Sequence, residues 1–524
     1  MIQGFENKLT RLASAEYTAT LRGRMIGLEK ESLRVSPEGR IAQTPHPEAL
    51  GAALTHPYIT TDYSEALLEL ITPPMGGADE VLGFLHKVHA FVYQNIGEEL
   101  LWATSMPCIM EGEMSIPIGN YGSSNAGMMK HVYRRGLGHR YGRTMQVIAG
   151  THFNFSFSPA FWEAYSELLG ISKPMQSFIN DQYFCLIRNL LRAGWVVPYL
   201  FGASPAVCAS FFHGQKPANL AELLPGTYFE PFGTSLRLGD IGYQNKKEVD
   251  SGVRVCYDDL TDYVSCLRKA ITTPYAGYQA LGVNVDGEYR QLNANILQIE
   301  NEYYSSVRPK QICGVLEKPV DALEARGIRY VELRSLDVNT FAPQGVDERE
   351  IHFLEVLFLY CLLSDSPPIS ANERTGIDNN LLSVAHEGRK PGLLLQRCDT
   401  TVPLSLWGQE ICNDMLGIAE VFDRLHGGDT YTRVVMSQQE KFRTPEATPS
   451  AMMLAEMVEN KEGFFDFAMR RSLTYQETFR NSVLTAEDQA FFARQASDSL
   501  AQQRRMELED DVDFDQYLQR YFAG

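Results

Sequence analysis

Residues 27–35 read Gly27-Leu28-Glu29-Lys30-Glu31-Ser32-Leu33-Arg34-Val35. Taken as a β-strand, the stretch sends alternate side chains to opposite faces. Gly27, Glu29, Glu31 and Leu33 then share one face, and Leu28, Lys30, Ser32 and Arg34 the other. Two carboxylates two residues apart on one face repel each other. Either that face is solvated, or something compensates the charge, and a divalent cation is the simplest compensator of clustered carboxylates. Lys30 points away from both and is assigned no catalytic role.

On either side of this stretch, residues 3–22 have the pattern of an amphipathic helix, and the prolines at 45, 47 and 57 mark 44–58 as a loop. In 59–73, Glu65, Leu67, Glu69 and Ile71 alternate if the segment is extended, with Asp62 in the approach. A helix would also pair Glu65 with Glu69, but Ile71-Thr72 and the Pro73-Pro74 stop favour a strand. A helix is expected over 76–100 and a polar, Gly-rich loop over 119–127. Residues 145–157 alternate most clearly, with Gln146, Ile148, Gly150, His152, Asn154 and Ser156 in front and Phe153, Phe155 and Phe157 behind. Such a strand is either the floor of a polar pocket or an ordinary half-buried strand.

Helices are expected over 173–193 and 251–272, a short strand with glycine turns over 233–243, and a further alternation over 289–300. Residues 328–339 read as a strand with Tyr330, Glu332, Arg334 and Leu336 on one face. An apolar helix begins near 350, and apart from a loop at 386–394 the rest is mainly helical. Strands with one polar and one apolar face argue against a doubly wound parallel sheet, whose strands are apolar on both. The expected class is α+β: a mainly antiparallel sheet, helices behind it, a wet functional face in front. No repeat or linker divides the 524 residues, so a single catalytic unit over 1–524 is expected.

The chain carries 47 basic against 65 acidic residues, a formal net charge of -18, which argues against nucleic-acid binding. Nine scattered cysteines with no C-x-x-C pair give no support to zinc ribbons or thioredoxin chemistry and read as small buried hydrophobes of a reducing compartment. The N-terminus has no secretory apolar core, and the uncharged run Trp195–Phe212 is broken by Pro198, Gly202 and Pro205, as a buried strand-turn segment would be. A cytoplasmic protein without membrane contact is expected.

The carboxylates Glu29, Glu31, Asp62, Glu69 and Glu332, if their faces converge, form an oxygen-donor cluster suited to magnesium or manganese. No H-E-x-x-H zinc spacing and no phosphate-binding G-x-x-x-x-G-K-[ST] loop occurs. Gly136–Gly142 has the wrong spacing for a dinucleotide fingerprint, and the serine of Gly202-Ala-Ser204-Pro-Ala206 lacks the elbow's final glycine. More carboxylates than one ion needs point to several ions bridging phosphate oxygens.

Seven stretches occur in an order that resembles the proteobacterial type of glutamate–cysteine ligase. They are Gly-Leu-Glu29-Lys-Glu31-Ser-Leu-Arg-Val, Ile-Thr-Thr-Asp62-Tyr-Ser-Glu-Ala-Leu-Leu-Glu69, His152-Phe-Asn154-Phe-Ser, Pro-Tyr-Leu-Phe-Gly-Ala-Ser-Pro-Ala (198–206), Thr-Ser-Leu-Arg237-Leu, Leu-Gln-Ile-Glu-Asn-Glu-Tyr-Tyr304 and Tyr-Val-Glu332-Leu-Arg334-Ser-Leu-Asp. The resemblance covers about 20–395; beyond about 400, in the helical C-terminal part, nothing is carried over. It implies a glutamine-synthetase-like fold whose curved antiparallel sheet forms a funnel, with helices outside. It also implies the reaction of ATP, L-glutamate and L-cysteine to γ-glutamylcysteine, ADP and phosphate through a γ-glutamyl phosphate, the first step of glutathione biosynthesis.

On that resemblance Glu29, Glu31, Asp62, Glu69 and Glu332 hold Mg2+, or Mn2+ in its place, and Glu29 and Glu332 serve catalysis. Arg334 stabilises the transferring phosphoryl group and touches the nucleotide, or else simply pairs with Glu332. Gln146, His152 and Asn154 position the amino acid, and Arg237 and Arg134 meet a substrate carboxylate. Tyr133, Leu137, Tyr243, Tyr304 and Tyr63 form the thiol pocket. The partners are small molecules only, with no obligate protein partner. The rival readings are another glutamate–amine ligase, a metal-dependent phosphohydrolase, and a glycosidase using Glu29 or Glu69 as acid.

Overall fold

The computed structural model describes residues 4–107, 109–242, 254–314 and 317–523. Its centre is a seven-stranded sheet in which every ladder is antiparallel. The strands are β1 (Met25–Val35), β2 (Ile59–Thr61), β3 (Leu67–Ile71), β4 (Leu100–Leu101), β5 (Gly150–Ser156), β6 (Val307–Lys310) and β7 (Tyr330–Asp337). Their order is β6-β7-β5-β1-β3-β2, with β4 on the far end of β1. The mixed helical and antiparallel architecture is the one the two-faced strands predict.

One face is dry. Ile26 and Leu28 of β1, Leu68 and Leu70 of β3, Phe153 and Phe155 of β5, and Val331 and Leu333 of β7 enter the main core. The helix Glu348–Leu363 lies against them, with Phe358 at 5.4 and 5.1 Å from the rings of Phe153 and Phe155. Its Asp347/Glu350 capping box fixes where it begins. Lys30 is buried behind the sheet, where its ammonium donates to Ser32 Oγ and burial lowers its pKa to about 7. It faces away from the wet side, as the alternation requires.

Several expected elements change on folding. The 59–73 segment is two strands around a tight turn at 62–66. Glu65 therefore leaves the alternation, and its carboxylate accepts the His46 and Asn120 N–H groups. Register shifts in β7 between Leu333 and Leu336, and the extra residue turns Leu336 into the core instead of onto the face of Glu332. Strand β5 begins only at Gly150; Gln146 sits in the preceding 3-10 turn, Thr144–Val147. Arg237 likewise stands on a 3-10 turn, Leu236–Leu238, where a strand was expected.

The N-terminal helix is broken into α1 (Phe5–Leu12) and α2 (Ala15–Thr20). Helices follow at α3 (Ala78–Asn95), α4 (Asn125–Tyr141) and α5 (Met175–Ala193). The helix expected from 251 begins at Leu260, and 289–300 is largely irregular. The 195–212 run opens with a short buried helix, Val196–Phe201, not a strand. Beyond 400 the chain is helical apart from a hairpin, Leu394–Arg397 with Thr400–Pro403. Among the described residues no helix is long and apolar enough to cross a membrane. Cys208 is disulfide-bonded, and of the free cysteines Cys361 and Cys412 are buried, as small hydrophobes should be, while Cys313 and Cys398 are exposed.

Candidate active site

Cross-strand register builds the site. Glu29 of β1 stands opposite His152 of β5, and Glu31 opposite Glu69 of β3. Glu332 of β7 stands opposite both Asn154 of β5 and Arg308 of β6. Residues directly opposite share a face, so five strands place these side chains on the wet side of the sheet.

His152 is at the centre, within the carboxylates rather than beside them. Its Nδ1 lies 3.3 Å from Glu29 Oε2 and 3.4 Å from Glu332 Oε1, and its Nε2 lies 3.6 Å from Glu31 Oε1. Asn154 Nδ2 donates to Glu29 Oε1 at 2.9 Å, and the Gly150 N–H donates to Glu31 Oε2 at 2.5 Å. Arg334 Nη1 donates to Glu332 Oε1 at 2.8 Å, and Lys310 Nζ lies 3.5 Å from Glu332 Oε2.

The charge across this cluster is uneven. Burial raises Glu332, but Lys310, Arg334 and His152 together hold it well below the ordinary carboxylate range. Burial likewise opposes Glu29, which the His152 hydrogen bond holds below its ordinary value. On the other side, burial and the neighbouring Glu29, Asp62 and Glu31 push Glu69 well above the ordinary range, and burial with Asp62 also raises Glu31. The Glu332 side is already paired with cations, whereas the Glu31–Glu69 side has a surplus of carboxylates over cations, which raises their affinity for protons.

A divalent ion fits that surplus. Glu29, His152 and Glu332 can each offer one donor atom within 4.8 Å of the others, and Glu31, Glu69 and His152 form a second such set. Carboxylate oxygens dominate both, as magnesium or manganese prefers, with His152 the one nitrogen donor. Asp62 lies on the wall of the same cavity, adjoining the sets.

The cavity has a volume of about 900 Å³. It is lined by every expected site residue that the structure describes except Asn154, which reaches the cluster through Glu29; Tyr243 lies outside the described residues. Tyr133, Leu137 and Tyr141 line it from successive turns of α4. Arg134 lines it too, but its donors go to the carbonyls of Asp62, Lys130 and Thr61 and its guanidinium stacks 4.5 Å over Tyr121. Arg237 is buried, and among the described residues its Nε and Nη1 donate no hydrogen bond.

Sequence reasoning missed Lys310, Arg308 and Lys130, three further cations on the cavity wall. It also missed that the C-terminal helices contribute Gln502, Met506, Tyr517 and Tyr521 to the same wall. The α4 wall is braced by a fully buried pair, Arg140 Nη1 to Glu302 Oε1 at 2.8 Å. Tyr141 Oη and the Gln298 N–H also donate to Glu302, and Arg140 donates to Gln291 Oε1. This network ties α4 to the 291–304 segment.

The profile of the family described as Glutamate-cysteine ligase matches residues 9–384. The glutamate–cysteine ligase of Alcanivorax borkumensis is 47% identical over 522 residues, 99% of each chain. That of Azotobacter vinelandii is 45% identical over 528 residues, covering 100% of this chain and 99% of its own. A crystal structure of glutamate–cysteine ligase from Francisella tularensis in complex with AMP superposes with a TM-score of 0.89 at 35% identity, covering 96% of this chain and 98% of that one.

Proposed function

The chain belongs to the glutamate–cysteine ligase family, and from that premise we propose that its cavity joins L-cysteine to the γ-carboxylate of L-glutamate at the expense of ATP. The observation that carries the reading is the convergence of Glu29, Glu31, Glu69, Glu332 and His152 on one sheet face, beside Arg237, Arg334 and Lys310. Two anions, a carboxylate and a triphosphate, have to meet there, and such a site lowers their repulsion.

The γ-carboxylate oxygen attacks the γ-phosphorus of ATP and ADP leaves. The cysteine nitrogen then attacks the acyl carbon of the γ-glutamyl phosphate and phosphate leaves. Glu29, Glu31, Asp62, Glu69 and Glu332, with His152, would hold divalent magnesium, which supplies charge neutralisation on the phosphoryl oxygens. Arg334 and Lys310, already poised around Glu332, face the transferring group and hold its charge. Arg237 offers its two free donors to an amino-acid carboxylate, a geometry that suits bidentate binding. Gln146 and Asn154 position the amino acid, and Arg134 keeps the 61–62 turn in place so that Asp62 faces the cavity. Tyr133, Leu137, Tyr63 and Tyr304 supply the thiol pocket.

The sheet would be the floor of a funnel of the glutamine-synthetase type, the whole chain one catalytic unit acting in the cytoplasm without an obligate protein partner. The test is ADP release with magnesium, glutamate and cysteine each omitted in turn, beside Glu29→Gln. Turnover that needs all three and is lost in the variant supports the ligase and the metal role together. ADP release indifferent to both amino acids would leave a metal-dependent phosphohydrolase instead.

A further inference from the structure

The Arg237 guanidinium lies on Gly150, the first residue of β5. A Cβ built on Gly150 would fall 2.5 Å from Arg237 Cζ and 2.8 Å from Nε, and closer still to Nη2. The backbone of Gly150 does not demand glycine: its φ is not positive, it pairs in register with Asp337 of β7, and its N–H donates to Glu31. All of these an alanine reproduces. Only the space above its Cα requires the missing side chain.

That space fixes where the guanidinium can be. Nη2 donates to the Arg334 carbonyl at 2.8 Å, which ties Arg237 to the β7 bulge. Nη1 lies 3.8 Å from Asp337 Oδ1, too far for a hydrogen bond. Asp337 is in any case occupied: Oδ2 accepts from the Ala203 N–H at 2.9 Å and from Ser204 Oγ at 2.6 Å, and Oδ1 accepts from Ser235 Oγ at 2.9 Å. Arg237 is 2% exposed, so its Nε and Nη1 are buried donors on the cavity wall without a protein acceptor among the described residues. Leaving such donors unmet is unfavourable unless a ligand meets them.

We infer that Gly150 is a positioning residue for the ligase reaction, the seat that holds the Arg237 guanidinium flat against β5 with its free edge toward a substrate carboxylate. The inference rests on the carboxylate role proposed for Arg237 above. Because the atoms that a Cβ would strike are the far end of a flexible side chain, Gly150→Ala displaces Arg237 and leaves the fold standing.

The experiment measures melting temperature and the KM for ATP, glutamate and cysteine in the wild type, Gly150→Ala, Arg237→Ala and the double variant. The seat predicts an undiminished melting temperature for Gly150→Ala and at least a tenfold rise in the KM of one amino acid. The KM for ATP changes less than twofold. Arg237→Ala raises that same KM, and adding Gly150→Ala to it changes the value less than twofold, since the two act as one unit. Unchanged amino-acid KM values in Gly150→Ala would overturn the seat. So would an effect that persists undiminished in the Arg237→Ala background, or a Gly150→Ala protein that does not fold. Failure of the ligase reading is separate and visible first, as wild-type ADP release that needs neither amino acid.

Discussion

Glu31 of β1 and Glu69 of β3 are direct cross-strand partners on the wet face of the sheet. Like charges so placed destabilise a ladder by up to about 1 kcal/mol, and burial sharpens the conflict by pushing Glu69 well above the ordinary carboxylate range. Evolution of a sheet for stability alone would have removed one of them. In EDTA, Glu69→Gln is therefore expected to melt higher than the wild type. Added magnesium should reverse the order, because the wild type gains the binding free energy and the variant loses a donor. Turnover in the variant should fall at least a hundredfold. Paired thermal scans with and without magnesium check this, and a wild type that ignores the ion would refute it.

Arg140 and Glu302 are paired with neither side chain exposed. Removing one member of such a pair strands a buried charge and costs about 3–5 kcal/mol, whereas replacing both is far milder. Arg140→Met should thus lower the melting temperature strongly, and Arg140→Met/Glu302→Gln should regain part of the loss. The surviving single variant should also bind cysteine less tightly, because Glu302 orients Tyr141 and the network holds α4 against 291–304.

Most of the wet face is legible in the sequence because alternation with period two survives folding in β1, β5 and the first half of β7. Glu29, Glu31, His152, Asn154 and Glu332 all land where it puts them. What breaks the reading is local. One extra residue after Leu333 sends Leu336 inward, and no propensity marks a bulge in Leu-Arg-Ser-Leu. Strand β6, which brings Arg308 and Lys310, contains Pro309, tolerated because β6 is the sheet's edge. Helix α4 is disguised by Gly127, Gly136 and Gly138, which are needed where it meets other parts of the chain: a Cβ on Gly138 would lie 2.6 Å from Tyr63 Oη, and one on Gly136 would strike Gln298. Its Ser124 N-cap was the available signal.

A half-buried histidine–carboxylate contact lies away from the carboxylate cluster. His386 Nδ1 is 2.6 Å from Glu230 Oε1; its Nε2 accepts the Asp240 N–H at 3.1 Å, a bond given up on protonation, and lies 3.4 Å from Asp240 Oδ1, which the protonated ring can meet instead. The Glu230 hydrogen bond raises the histidine above its ordinary 6.5. A proton held more tightly in the folded state stabilises fully below the unfolded value and ceases to do so as pH rises through the folded one. His386→Gln should accordingly show its largest melting deficit below about pH 6.5, the deficit shrinking as the wild-type histidine deprotonates. Thermal scans of both proteins between pH 5.5 and about 9 decide it; a deficit that grows with pH would contradict the assignment.

The acceptor pocket should discriminate on shape more than on sulfur. On the assignment proposed above its walls are the rings of Tyr133 and Tyr63 and the Leu137 side chain, all of which line the cavity, and the Tyr63 hydroxyl makes no hydrogen bond among the described residues. A small, mostly apolar pocket separates near-isosteres by only about 10–200-fold unless a buried polar group pairs with the right substrate, and a weak thiol donor gives the Tyr63 hydroxyl little to pair with. With 2-aminobutyrate in place of cysteine, kcat/KM should fall within that range. Alanine, which leaves the pocket unfilled, should do worse. Widening the pocket by Tyr133→Ala should raise the KM for cysteine and for 2-aminobutyrate alike, leaving their ratio nearly constant. A ratio beyond about 10⁴ in the wild type would instead show a buried polar partner for the thiol, with the Tyr63 hydroxyl as the candidate, and would refute discrimination by shape.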